Sequence, residues 1–277
     1  MQISIAELKN NVEKYIEMAE QQDIVIVQDG KQVAKIGSAS VSKASALESI
    51  LHEALADVDV DIEMTNQDSK YGRLYPVLNA VASLVGLHSG KEQGYAKRMK
   101  HYLEIIVDAL QERDSYKQEV SSWDKNLFLL SAQLHDVGET AVHGHFLKKA
   151  GELTSEEYNE IKAHTDLGIK IVQQAKENLE LGSLFQYAEI VAGSHHEKWD
   201  GSGYPQGLKA DKIPLQGRIM AIVDVYDALT TDRPHRKKKT HKETVEIIMN
   251  GKATHFDPEI IEVFLECEKE FEKECPQ

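Results

Sequence analysis

The chain has 277 residues, 41% of them apolar, 28% charged and 6% aromatic, which is enough apolar content for a real core and excludes wholesale disorder. Its 32 basic and 46 acidic residues leave a net charge of −14, which argues against non-specific binding to nucleic acid or to an anionic membrane. No apolar run approaches the roughly 20 residues a membrane helix needs, no basic-then-apolar leader opens the sequence, and Cys267 and Cys275 lie too close together to staple a fold, so the chain reads as cytoplasmic with free thiols.

Residues 1–37 form a first unit by pattern. Gln2–Ser4 reads as a short strand, and Ser4 is placed to cap a helix over Ile5–Gln21. Within it Leu8, Val12, Tyr15, Ile16 and Ala19 recur every three or four residues and make one apolar stripe. Ile24–Val27 and Gln32–Ile36 flank Asp29-Gly30 and predict a β-hairpin. So short a strand, helix and hairpin has too little core to stand alone and must pack on something or dimerise. With the Gly30-Lys31-Gln32-Val33-Ala34 run, this segment resembles the N-terminal half of the Phd/YefM antitoxin family. That resemblance implies a homodimer and, in the antitoxins, operator DNA binding. Lys9, Lys14, Lys31 and Lys35 stand against six acids here, which favours dimerisation over DNA.

Residues 38–70 follow as a linker and helix: Ser38–Ser45 is Ser/Ala-rich, Ala46–Ala56 is amphipathic, and Asp57–Lys70 is acidic and polar. Over residues 71–277 the dominant period is helical. Apolar residues stack in Leu78–Val85, Met99–Leu110, Leu127–Leu134, Ile161–Val172, Phe185–Ala192, Ile219–Leu229 and Thr244–Met249. No strand–helix alternation appears, so the fold class is mainly α: an all-helical domain behind a small α+β N-terminal segment.

The chemistry of that domain lies in its histidines and aspartates. His135-Asp136 ends an apolar helix and is followed by Val137-Gly138. His164 begins another helix, His195-His196 closes the apolar segment Ala188–Ser194, and Asp224 is embedded in the apolar helix Ile219–Leu229. Imidazoles and carboxylates on apolar helices are costly to bury unless something pairs with them, and a divalent cation suits several at once. One helical histidine alone is commonly a satisfied core residue. The set together, with no thiolate among it, fits iron, manganese or another borderline-hard metal. Gly201-Ser202-Gly203-Tyr204-Pro205 runs on from His195-His196 and joins a loop to the set. The basic run Arg233–Lys242, six Arg or Lys with no acid, stands out in so acidic a chain.

These residues, with Gly151-Glu152-Leu153-Thr154, Asp224-Val225-Tyr226-Asp227-Ala228-Leu229-Thr230, Arg233-Pro234 and His255-Phe256-Asp257-Pro258, make the region from Tyr71 to Phe271 resemble the HD-GYP family of HD-superfamily phosphohydrolases. The resemblance implies an all-helical fold, a centre of two or three metals, commonly iron or manganese, and hydrolysis of cyclic di-GMP or a related cyclic dinucleotide to pGpG or GMP. Carried over, His135 binds one metal and Asp136 bridges two. His164, His195 and His196 complete the second site, and Asp224 closes the first. A hydroxide held between metals roughly 3.5–4 Å apart would attack phosphorus in line, with His135 and Asp136 as the catalytic pair. Tyr204 would contact the substrate, and Arg233, Arg236 and Lys237 would hold its phosphates.

The sequence departs from the family pattern at three positions near the first site. Tyr95 stands where relatives carry a histidine ligand, Lys91 where they carry a glutamate, and Glu139 where they carry a phosphate-contacting lysine. The usual Pro-Asp further on is His143-Gly144. Tyr95 is then either a phenolate ligand or a packed tyrosine, and Glu139 is expected to repel the substrate. Two functions compete: a phosphodiesterase, or a catalytically degenerate domain that binds a nucleotide or partner as a receptor. A third makes residues 1–37 a DNA- or toxin-binding antitoxin module.

Overall fold

The computed structural model describes residues 2–4, 24–28, 31–36, 74–91, 94–178, 182–233 and 236–275. The expected helix Ile5–Gln21, the Asp29-Gly30 turn and the linker and helix over 38–70 lie outside the described residues. The N-terminal strands are β1 (Gln2–Ser4), β2 (Ile24–Gln28) and β3 (Lys31–Ile36). They form a sheet of order β1-β2-β3, with β1 parallel and β3 antiparallel to β2.

From Leu74 onward the described chain is helical. Helices α1 (Leu74–Ser89), α2 (Tyr95–Gln111), α3 (Asp114–Ser121), α4 (Lys125–Ser131) and α5 (Gly144–Leu147) come first. There follow α6 (Ser155–Lys162), α7 (His164–Asn178), α8 (Gly182–Ala192), α9 (Leu215–Thr230), α10 (His241–Asn250) and α11 (Pro258–Glu274). Their starts are written in the sequence. Asp124 accepts from the Leu127 amide at 3.1 Å, Thr154 with Glu157 and Thr240 with Glu243 form reciprocal caps, and Asp257 precedes Pro258.

Two apolar cores organise these helices. The first gathers Tyr102 and Ile106 of α2, Ile219 and Tyr226 of α9, and Phe264 and Phe271 of α11. The second gathers Leu78 and Val85 of α1, Ile171 and Val172 of α7, and Phe185 and Ala188 of α8. Helix α4 serves both, giving Phe128 to the first and Leu127 and Leu130 to the second. The His-Asp turn follows α4 directly, so it emerges between the two cores.

The predicted helices Leu127–Leu134 and Ile161–Val172 are each interrupted. Helix α4 stops at Ser131 and tightens into 3₁₀ turns at Ala132–Leu134 and Val137–Ala141. The second run breaks between Lys162 and His164. A close approach requires this: a Cβ on Gly138 would stand 1.9 Å from the His164 carbonyl oxygen and 2.5 Å from the Gly168 nitrogen. Only glycine lets the turn lie against the start of α7.

Candidate metal centre

Three imidazoles are oriented by one repeated device. The Nδ1 atoms of His135, His164 and His195 lie 2.8, 2.6 and 2.8 Å from the carbonyls of Ala132, Ile161 and Val191, three or four residues before each. A carbonyl only accepts, so each Nδ1 carries a proton, and in the neutral ring the Nε2 atoms of His164 and His195 offer lone pairs inward, while the burial of His135 is outweighed by Asp136, which raises its pKa. Those of His164 and His195 face one another at 3.3 Å, and stand 3.5 and 3.3 Å from Asp136 Oδ1. Two lone pairs and a carboxylate oxygen at such range repel unless a proton or a metal ion lies among them. His196 joins this set, and burial, then its neighbours His195 and His164, hold its pKa well below the usual imidazole value, which keeps the ring neutral and able to ligate.

The second set is His135, Asp136 and Asp224. His135 Nε2 lies 2.7 Å from Asp136 Oδ2 and 3.9 Å from Asp224 Oδ1. The two sets together offer imidazole nitrogen and carboxylate oxygen with Asp136 shared, a donor set that fits borderline-hard divalent ions. Burial disfavours the charged form of Asp136, but His135 and Lys91 outweigh it and hold the carboxyl ionised, well below its usual range.

The positions where the sequence departs from the family pattern meet at this second set. Lys91 lies on the loop before α2, not on a helix, with its side chain 5% exposed. Its ammonium donates to Asp136 Oδ2 and, at 3.1 Å, to the Tyr95 hydroxyl, and lies 3.4 Å from Glu139. Tyr95 in turn places its hydroxyl 2.7 Å from His135 Nε2. Burial above all keeps the Tyr95 phenol protonated, far above its usual range, with the Lys91 ammonium only partly opposing this. The repulsion expected from Glu139 is offset, because Lys91 and the Ser89 hydroxyl both contact its carboxylate.

A cavity of about 860 Å³ opens beside the centre, lined among others by Lys91, Asp136, His164, His196, Tyr204, Asp224, Arg233 and Arg236. Tyr204 stacks on His196 with ring centres 4.8 Å apart. Arg236 reaches the Ala228 carbonyl, and Arg233 lies 3.9 Å from Asp227, whose other oxygen takes a 2.7 Å bond from Arg98. Lys237 is 93% exposed, faces Asp232 at 3.8 Å, and stands apart from the Arg233 and Arg236 that line the cavity. Sequence reasoning missed three residues here: Lys91 as an occupant of the centre, Asp227 as the anchor of two arginines, and Glu197. The buried Glu197 carboxylate accepts from the amides of Gln206 and Leu208 at 2.7 and 2.9 Å and so fixes the Tyr204 loop. That loop is also braced from α10–α11, where Trp199 and Asp200 amides donate to the His255 and Thr254 carbonyls at 3.0 and 2.9 Å. Gly203 packs on this loop so closely that a Cβ would lie 2.3 Å from the Lys198 nitrogen. Among the described residues, no helix is long and apolar enough to cross a membrane.

Residues 76–260 match the HD domain family. The chain is 38% identical over 197 residues to a probable cyclic di-GMP phosphodiesterase of Vibrio cholerae, covering 70% of this chain and 44% of that one. It is 34% identical over 212 residues to a 3'3'-cGAMP-specific phosphodiesterase of the same organism, covering 76% and 37%. It is 38% identical over 140 residues to a cyclic di-GMP phosphodiesterase of Thermotoga maritima, covering 50% and 37%. The chain thus spans less than half the length of each of these relatives. With the His-Asp turn, the helical frame and the profile match in agreement, the chain belongs to the HD domain family and is closely related to HD-GYP-type phosphodiesterases of cyclic di-GMP and 3'3'-cGAMP.

Proposed function

We propose that this protein is a cytoplasmic signalling enzyme of the HD-GYP type, a metal-dependent phosphodiesterase that opens cyclic di-GMP or a related cyclic dinucleotide to pGpG or GMP, using iron or manganese. The observation that carries this reading is the convergence of the His164 and His195 lone pairs on one oxygen of buried Asp136, beside a cavity lined by two arginines and a tyrosine. The activities named for the relatives support it. When bound, the metal supplies an activated water and neutralises charge at phosphorus.

The chain's own residues do the rest. Arg233 and Arg236 present guanidinium forks that orient a phosphodiester, and Asp227 keeps Arg233 in place. Tyr204, steadied on His196, gives the ligand a flat face and a hydroxyl. Lys237, exposed to solvent, is left a steering role. His135 and Asp136 are the residues whose loss stops turnover. Residues 1–37, by their antitoxin resemblance, would pair two copies of the chain; light scattering that gives a monomer removes that part.

A receptor function is the second reading, favoured by the Lys91 ammonium on Asp136. Incubating manganese-loaded protein with a panel of cyclic dinucleotides and separating the products decides between them. Linear pGpG or GMP is expected; tight binding with no product selects the receptor.

A further inference from the structure

We infer that the Lys91 ammonium and a second divalent ion are alternative occupants of one position, so that the centre as built takes one metal ion and one protein cation. The inference rests on the metal reading above and adds the occupancy of its second position. It starts from an asymmetry between the two ligand sets. In the His164, His195 and His196 set, no ammonium or hydroxyl among the described residues meets the facing nitrogens of His164 and His195, which lie 3.3 Å apart and share only Asp136 Oδ1. In the His135 and Asp224 set, the same space already has its donors. Lys91 bonds Asp136 Oδ2, and Tyr95, which takes a bond from Lys91 at 3.1 Å, stands 2.7 Å from His135 Nε2.

The two oxygens of Asp136 divide accordingly: Oδ1 belongs to the histidine set and Oδ2 to Lys91. A metal ligated by Oδ2 and His135 Nε2 would sit about 2.0–2.2 Å from each, inside the space of an ammonium that already touches Oδ2. Like charges at that range exclude one another. Glu139 matters here too, since its carboxylate lies 3.4 Å from the same ammonium and favours its charged form. Lys91 and Glu139 therefore act as a unit, a positioned positive charge and the carboxylate that retains it.

The test is a manganese titration of chelator-treated full chain, counting bound ion per chain by elemental analysis and reading the electron paramagnetic spectrum. The wild type is expected to hold close to one manganese per chain with the six-line signal of an isolated ion. Lys91→Met, which keeps the stem length and removes the charge, is expected to hold two, with a spin-coupled spectrum and a second-site dissociation constant about 10- to 100-fold lower. Lys91→Gln is the second variant, and circular dichroism confirms that each is folded. Two tightly bound ions in the wild type, or one ion in both folded variants, overturns the inference. No manganese on any of the proteins overturns the metal reading beneath it, and this with it.

Discussion

Asp136 serves two neighbourhoods at once, and the residues around it divide the labour of binding. His195 and His196 are readable in the sequence only as part of a set with His135-Asp136 and the Gly201–Pro205 loop, and His164 only through the resemblance to the HD-GYP motif. Lys91 is not legible, because its partner Glu139 is 48 positions away and no periodicity links a loop to a turn. Seen along the chain, Lys91 and Glu139 are two separate losses; in space they form one ion pair at 3.4 Å. Arg233 lines the cavity and is steadied by Asp227, so Arg233→Ala should weaken binding of a cyclic dinucleotide by about tenfold to a hundredfold, measured by calorimetry on folded protein. His255 gives a second prediction. Burial first, then Lys198, lowers its pKa from 6.5 to about 4. The folded chain therefore declines a proton that the unfolded chain accepts between those values. The stability it contributes is complete above pH 6.5 and is lost as pH falls toward 4. Denaturant melts across that range should show a shallower acid loss in His255→Gln than in the wild type.

Helices were easier to read than their ends. The apolar stripe of α2, with Met99, Leu103, Ile106 and Leu110 buried, follows from spacing alone. The breaks after Ser131 and Lys162 do not, since the apolar pattern runs straight through them. They arise from packing between the His-Asp turn and the start of α7, where Gly138 meets the His164 carbonyl. Gly138→Ala should therefore both destabilise the fold, by about 1–3 kcal/mol, and displace His164 from the centre. Thermal melts and metal content, taken together, check it: a lowered melting temperature with metal content unchanged would separate the turn from the ligand set. The hairpin strands were legible as well, and β2 and β3 pair antiparallel as the Asp-Gly signal requires.

At the scale of the molecule, the binding centre lies between two cores that meet along α4. Burial far from the centre should then alter stability without altering chemistry. Phe264 is fully buried, packed edge-on against Phe271 and Tyr226. Phe264→Ala should cost about 3–5 kcal/mol in denaturant melts, while the metal bound per folded chain stays the same. The all-helical class was legible because seven apolar runs carried the helical period; the division into two cores was not, because it depends on which face of α4 meets which neighbour. The bonds from Trp199 and Asp200 to the turn before α11 carry a last consequence. Every residue that would grip an ion comes before position 225, yet the shelf under Tyr204 is supplied by residues some fifty places further along. A protein shortened behind α9 would keep every gripping side chain in its sequence and lose the footing on which a nucleotide rests, along with Arg233, Arg236 and the α11 share of the first core.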